Sequence, residues 1–139
     1  MKKKTVIALR ILITLVLVAP VALLALENAC IGRPMKAPPQ ALVKTWDIER
    51  NTHDGKLRFS FRIHEDGTVE GTVEDVAMQD GHLIRRRHWF SKLLGRRRDY
   101  RVKGRLESSP IDEPREGFWI DFNLDKKGTM TRIKAGLHN

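Results

Sequence analysis

The chain is 139 residues long, with 26 Lys and Arg against 17 Asp and Glu, a net charge of +9 and a single cysteine. Behind an apolar start only about 95 residues remain, enough for one small domain with a single modest core. Cys30 precedes that domain, so no disulfide can form within it, and its stability has to come from buried apolar side chains.

Residues 1–30 read first as a membrane segment. Lys2-Lys3-Lys4 opens it, and the run from Thr5 to Leu26 carries one charge, Arg10. That run is about 22 residues, or about 33 Å as a helix, enough to cross a hydrocarbon core of about 30 Å. Pro20 is tolerated in such a helix, and Arg10 lies near enough to its start to reach the headgroups. Two alternatives share the basic start. A cleaved signal needs small residues before the cut, but cutting after Ala29 or Ala25 puts Glu27 or Leu23 three positions upstream. A lipidated Cys30 would want an apolar residue where Glu27 stands. The anchor reading therefore leads, with secretion after cleavage as the alternative. Lys2, Lys3, Lys4 and Arg10 before the span outweigh Arg33 and Lys36 after it. The positive-inside tendency then places the N-terminus in the cytoplasm and the C-terminal domain outside, periplasmic or extracellular.

Residues 31–43, IGRPMKAPPQALV, hold Pro34, Pro38 and Pro39 and read as an extended linker ahead of a domain over 44–139. Trp46 to Arg50 is a strand candidate, followed by a turn-like Asn51–Gly55. Lys56 to His64 alternates, with Leu57, Phe59, Phe61 and Ile63 on one face and Lys56, Arg58, Ser60 and Arg62 on the other. Glu65-Asp66-Gly67 turns the chain into a second alternating stretch carrying Val69, Gly71 and Val73, where Gly71 marks a bulge or a close approach. Ala77 to Ile84 is split by Asp80-Gly81 into a bent strand or a second short hairpin. Tyr100 to Leu106, Gly117 to Leu124 and Thr129 to Ala135 complete the set, the last two joined by a turn at Asp125–Gly128. Turn signals every 10–15 residues or so, with no long helical pattern, predict an all-β domain. The expected fold is a small antiparallel meander or up-and-down barrel of about seven to eight strands behind an N-terminal transmembrane helix.

A tryptophan in the first strand with an arginine in the last resembles the corner of lipocalin-like (calycin) barrels, where the arginine packs across the tryptophan to close one end. Trp46 and Arg132 stand in those places, and Lys44 stands where the family carries a glycine. The resemblance implies barrel closure by that pair.

The tract from Arg85 to Arg98, RRRHWFSKLLGRRR, is the second distinctive feature. Arg85, Arg86, Arg87, Lys92, Arg96, Arg97 and Arg98 flank an apolar wedge that includes Trp89 and Phe90. Such a mixture suits a membrane interface, where rings enter the headgroup boundary and arginines pair with anionic phosphates. It also suits an acidic protein partner. Nucleic acid would meet the same chemistry but fits badly with a domain outside the cytoplasm. The plain alternative is a strand connection whose rings cap the core and whose arginines are merely solvated.

His53, His64, His82, His88 and His138 show no metal-ligand spacing, no serine sits in a glycine-flanked elbow, and no Gly-rich phosphate loop is present. Glu70, Glu74, Asp75 and Asp121 are expected on solvent-facing strand positions. The expectation is therefore a binding module for an apolar ligand, lipid headgroup or acidic partner, without a catalytic site, metal or cofactor. A structural accessory subunit of a membrane complex and a small hydrolase with a dispersed site are the alternatives. Intact mass of the membrane fraction checks the N-terminus. The uncleaved chain is expected, and a species beginning after Ala22, Ala25 or Ala29 would show that the segment is a signal.

Overall fold

The computed structural model describes residues 2–30, 34–86 and 98–139. The chain forms two compact units, Met1–Ile31 and Gly32–Asn139. The first is one helix, α1 (Lys2–Cys30), with Pro20 inside it. Its stretch Lys2–Ala22 is long and apolar enough to cross a membrane. Side chains along that stretch, such as Ile7 at 57% and Leu17 at 67%, are exposed within the chain. A helix apolar on all sides has no polar face to offer water.

The second unit is a seven-stranded antiparallel sheet whose spatial order follows the chain order. Its strands are β1 (Thr45–Thr52), β2 (Gly55–Ile63), β3 (Thr68–Val73), β4 (Val76–Arg85), β5 (Tyr100–Leu106), β6 (Gly117–Leu124) and β7 (Met130–His138). The sheet curls until β1 and β7 come back beside each other, a nearly closed barrel. The all-β meander expected from alternation is the fold observed.

Alternation also fills the barrel. Phe59 and Phe61 on β2 and Phe118 and Phe122 on β6 point inward with Ile63, Val73, Leu83, Val102 and Ile120. Phe59, Phe118 and Phe122 are 0% exposed and Phe61 1%. These rings are packed among the other core side chains. Tyr100 stacks on Phe122 with centroids 5.4 Å apart.

Local chemistry sets the turns. β1 and β2 meet through His53-Asp54, two residues further into the expected turn than alternation alone suggests. Gly67 closes the next turn at φ 84°, and a Cβ there would fall 1.7 Å from the Met35 carbonyl oxygen. β3 and β4 are joined by Glu74-Asp75, both at positive φ, as a two-residue hairpin turn demands. Glu74 is held there by Arg58, whose backbone N–H donates to the Glu74 carboxylate at 2.6 Å. The segment around Asp80-Gly81 is no second hairpin: β4 runs through it as one strand with shifted register. Gly81 allows this, because a Cβ there would lie 2.4 Å from the Val69 carbonyl oxygen. Gly71 marks the close approach expected of it, its missing Cβ leaving room for the Ser60 carbonyl.

Residues 34–43 are extended, but they are laid on the domain. Pro34 bridges Ile84, and Met35 donates its N–H to the Leu83 carbonyl at 2.8 Å. Pro38 is buried, and a single 3₁₀ turn, Gln40–Leu42, delivers Leu42 into the core at 0% exposure. Because a meander alternates its turns between two ends, this strap shares one end of the barrel with the β2–β3 turn, the β4–β5 connection and the β6–β7 turn. That end is called the entry end below.

Phe61→Ala is expected to cost about 3–5 kcal/mol, while Arg62→Ala, on the exposed face, should stay within about 0.5 kcal/mol. Chemical denaturation of both variants checks the strand register, and equal losses would mean that it is wrong.

Candidate functional site

The β4–β5 connection carries the arginine tract, and its root is built from three strands. Arg85 ends β4, exposed and opposite Tyr100. The Arg86 N–H donates to the Asp99 carbonyl at 2.7 Å and closes the base of the connection. Arg87, Trp89, Phe90, Lys92, Arg96 and Arg97 lie outside the described residues.

Asp121 on β6 is the keystone of the root. By alternation it faces outward, opposite the core residues Ile120 and Phe122, as expected from sequence. It is nevertheless only 7% exposed, because two arginines cover it. Arg101 on β5 binds it in a fork, Nε to Oδ1 at 2.5 Å and Nη2 to Oδ2 at 2.8 Å, and Arg86 adds Nη1 to Oδ2 at 2.7 Å. Two guanidinium groups share one carboxylate, so the cluster keeps a net positive charge. Paired and forked contacts of this kind fix geometry as well as charge. The Arg101 guanidinium also lies 5.2 Å from the ring centroid of Trp119.

The returning limb is pinned separately. The Asp99 N–H donates to Asn123 Oδ1 at 2.8 Å, and Arg98 Nε donates to the Arg132 carbonyl at 2.6 Å. Arg132 sits at φ 52° where β7 bulges past β6, so its carbonyl is turned out of the ladder. Of the arginines singled out in the tract, Arg86 and Arg98 thus hold the root in place. Sequence reasoning did not find Arg101, Asp121 and Asn123 as a group. Their outward alternation on neighbouring strands was the available signal.

Trp46 is half-buried against the core, and its indole N–H donates to the Leu42 carbonyl at 3.1 Å. The Lys44 ammonium lies over its ring, 4.4 Å from the centroid. Arg132 is exposed. Among the described residues no group of His, Cys, Asp and Glu is arranged to hold a metal ion.

At the opposite end of the barrel, Arg115 clasps the β1–β2 turn through Asp54, Nη2 to Oδ1 at 2.8 Å, and also reaches Glu113 at 2.9 Å. The Arg115 hydrogen bond, opposed by burial and aided by the guanidinium charge, holds the Asp54 carboxyl below the usual carboxylate range. Comparison with known protein families, with curated proteins and with solved structures finds no match for this chain.

Two outcomes follow from these pairs. Asp121→Ala leaves two half-covered guanidinium groups without their carboxylate and should cost about 3 kcal/mol. Asp47→Ala, whose partner Arg58 is exposed, should change the thermal midpoint far less. Similar losses in the two variants would show that Asp121 is an ordinary surface residue. For Asp54, a depressed folded pKa means that its contribution to stability is present above the unfolded value of about 3.9 and is lost as pH falls through the folded value. NMR titration should find its midpoint below that of a free carboxyl, and Arg115→Ala should return it upward. An unmoved midpoint would remove Arg115 as the cause.

Proposed function

We propose that this protein is a single-pass, membrane-anchored β domain that acts as a binding module, engaging anionic lipid headgroups through the arginine-rich β4–β5 connection. In this reading α1 spans the membrane with its N-terminus in the cytoplasm, and the domain works outside it without catalysis. The observation that carries the reading is shared position. The strap by which the chain enters the barrel and the root of the arginine tract occupy the same end, and Pro34 pairs with Ile84 just before Arg86. Residues 31–33 alone separate α1 from the docked strap. The β6–β7 turn adds Lys126 and Lys127 to that end, and both are exposed. With Arg86 and Arg98 committed to the root, Arg85 and the remaining cations of the tract supply the attraction, each on the order of 1 kcal/mol near an anionic surface. Trp89 and Phe90 supply the apolar wedge.

The apolar-ligand form of the reading has less support, because Phe59, Phe61, Phe118 and Phe122 are buried to within 1% exposure at the centre of the barrel. The packed interior favours instead a second reading, an accessory subunit that docks on another membrane protein. Native mass spectrometry of the detergent-extracted chain separates the two: bound anionic lipid supports the first, and a stoichiometric protein partner supports the second.

The direct test is trypsin cleavage of the full chain in nanodiscs. Sites within 85–98 should be protected in phosphatidylglycerol-rich bilayers and open in phosphatidylcholine. Protection should fade as salt shortens the Debye length from about 10 Å at 0.1 M to about 3 Å at 1 M. Equal cleavage in the two lipids would overturn the proposal.

A further inference from the structure

The barrel has two electrostatically different flanks. On the outer face of β1–β3, carboxylates and cations interleave and pair: Arg58 with Asp47 at 2.6 Å and Lys56 with Glu49 at 2.7 Å. On the outer face of β5–β7 the register sets Arg101, Asp121 and Lys134 in one row and Lys103, Trp119 and Gly136 in the next, with Arg105 beyond them. The one carboxylate there, Asp121, is already enclosed by Arg86 and Arg101. Lys103, Arg105 and Lys134 make no hydrogen bond or ion pair among the described residues. Cations left without counter-charges on a folded surface are available to an external anion.

Trp119 stands at the centre of this flank. A Cβ placed on Gly136 would lie 2.8, 3.0 and 3.1 Å from Trp119 Cζ2, Cε2 and Nε1. The Nε1–Cζ2 edge of the indole therefore packs against the glycine backbone, and the Arg101 guanidinium lies over the ring, 5.2 Å from its centroid. Trp119 is accordingly half-buried rather than enclosed. A half-buried indole with Lys103, Arg105 and Lys134 around it has the composition of an interfacial anchor, with its ring at headgroup depth and cations nearby.

We infer that the β5–β7 flank, centred on Trp119 with Lys103, Arg105 and Lys134, is a second lipid-contacting surface, so that the domain lies on this flank against the anionic bilayer. The inference rests on the reading of the arginine tract as a headgroup-binding element and adds an orientation to it. Charge decides which flank turns down. The β1–β3 side would bring Asp47, Glu49, Glu70 and Glu74 toward anionic lipid, whereas the β5–β7 side brings no exposed carboxylate from these rows. The two basic regions are continuous, because Arg86 and Arg101 bind the same Asp121 and so join the tract's root to the flank.

All three tryptophans, Trp46, Trp89 and Trp119, lie in the β domain and none in α1, so tryptophan fluorescence of the full chain in a bilayer reports the domain alone. The experiment reconstitutes the full chain in phosphatidylglycerol-rich nanodiscs with lipids brominated near the top of the acyl chains, and compares neutral phosphatidylcholine. Quenching is expected in the anionic bilayer, and Trp119→Phe should remove a substantial share of it. Lys103→Glu with Lys134→Glu, both on the surface, should abolish the Trp119 share, while Lys56→Glu with Arg62→Glu on the opposite flank should leave it. Circular dichroism confirms that each variant is folded. If Trp119→Phe is quenched like the wild type, or the lysine reversals change nothing, the flank does not touch lipid and the inference falls. Trypsin protection of residues 85–98, measured on the same samples, then tells the two claims apart. Protection without Trp119 quenching overturns the flank alone, and loss of both overturns the headgroup reading as well. Equal quenching in neutral lipid also overturns the inference, because the unpaired cations would then have no part in the contact.

Discussion

The domain depends on the meeting of phenyl rings from strands far apart in the chain. Phe59 and Phe61 come from β2, Phe118 and Phe122 from β6, and their burial is what draws the intervening strands into a curl. A sheet this small has few residues to spare for its core, and no disulfide shares the task. Filling the middle with large, rigid side chains leaves the polar backbone edges of β1 and β7 as the place where the barrel stops short of full closure.

On the outside of the barrel, the arginine tract divides its own members by role. Arg86 and Arg98 point back to the barrel, one to a carboxylate and one to a main-chain carbonyl, and Asn123 takes the Asp99 amide between them. Both limbs are thus held to β6 and β7 at their base. The positive φ of Arg132 belongs to the same device, since the bulge is what presents the carbonyl that Arg98 uses.

What could be read from the residues alone, and what could not, divides along sequence separation. The strands carrying Leu57 to Ile63 and Phe118 to Leu124 announce themselves by period-two alternation, and Gly67 and Gly128 mark their turns. The Glu74-Asp75 turn is nearly silent, since it holds no glycine and Glu74 is not a residue that positive φ favours; the Arg58 N–H on a neighbouring strand holds Glu74 there. The prolines of 34–43 speak for an extended path but not for where it lies, which the Met35 to Leu83 hydrogen bond and the burial of Leu42 decide. The Asp121 cluster was hidden for the same reason. Its partners stand 35 and 20 positions away, and nothing near Asp121 itself distinguishes it from a solvated strand carboxylate.

The docked strap has a mechanical consequence. Any tension reaching the domain from α1 arrives through Pro34 and must first separate Met35 from Leu83, a contact of one main-chain hydrogen bond and one bridge. Only when residues 34–39 have peeled away does the load reach Leu42, which is seated among the core side chains and backed by the Trp46 indole. Load on the strap therefore meets contacts of graded strength. Small pulls are taken up by a few residues at the surface, and the seven strands feel them only after that slack is spent.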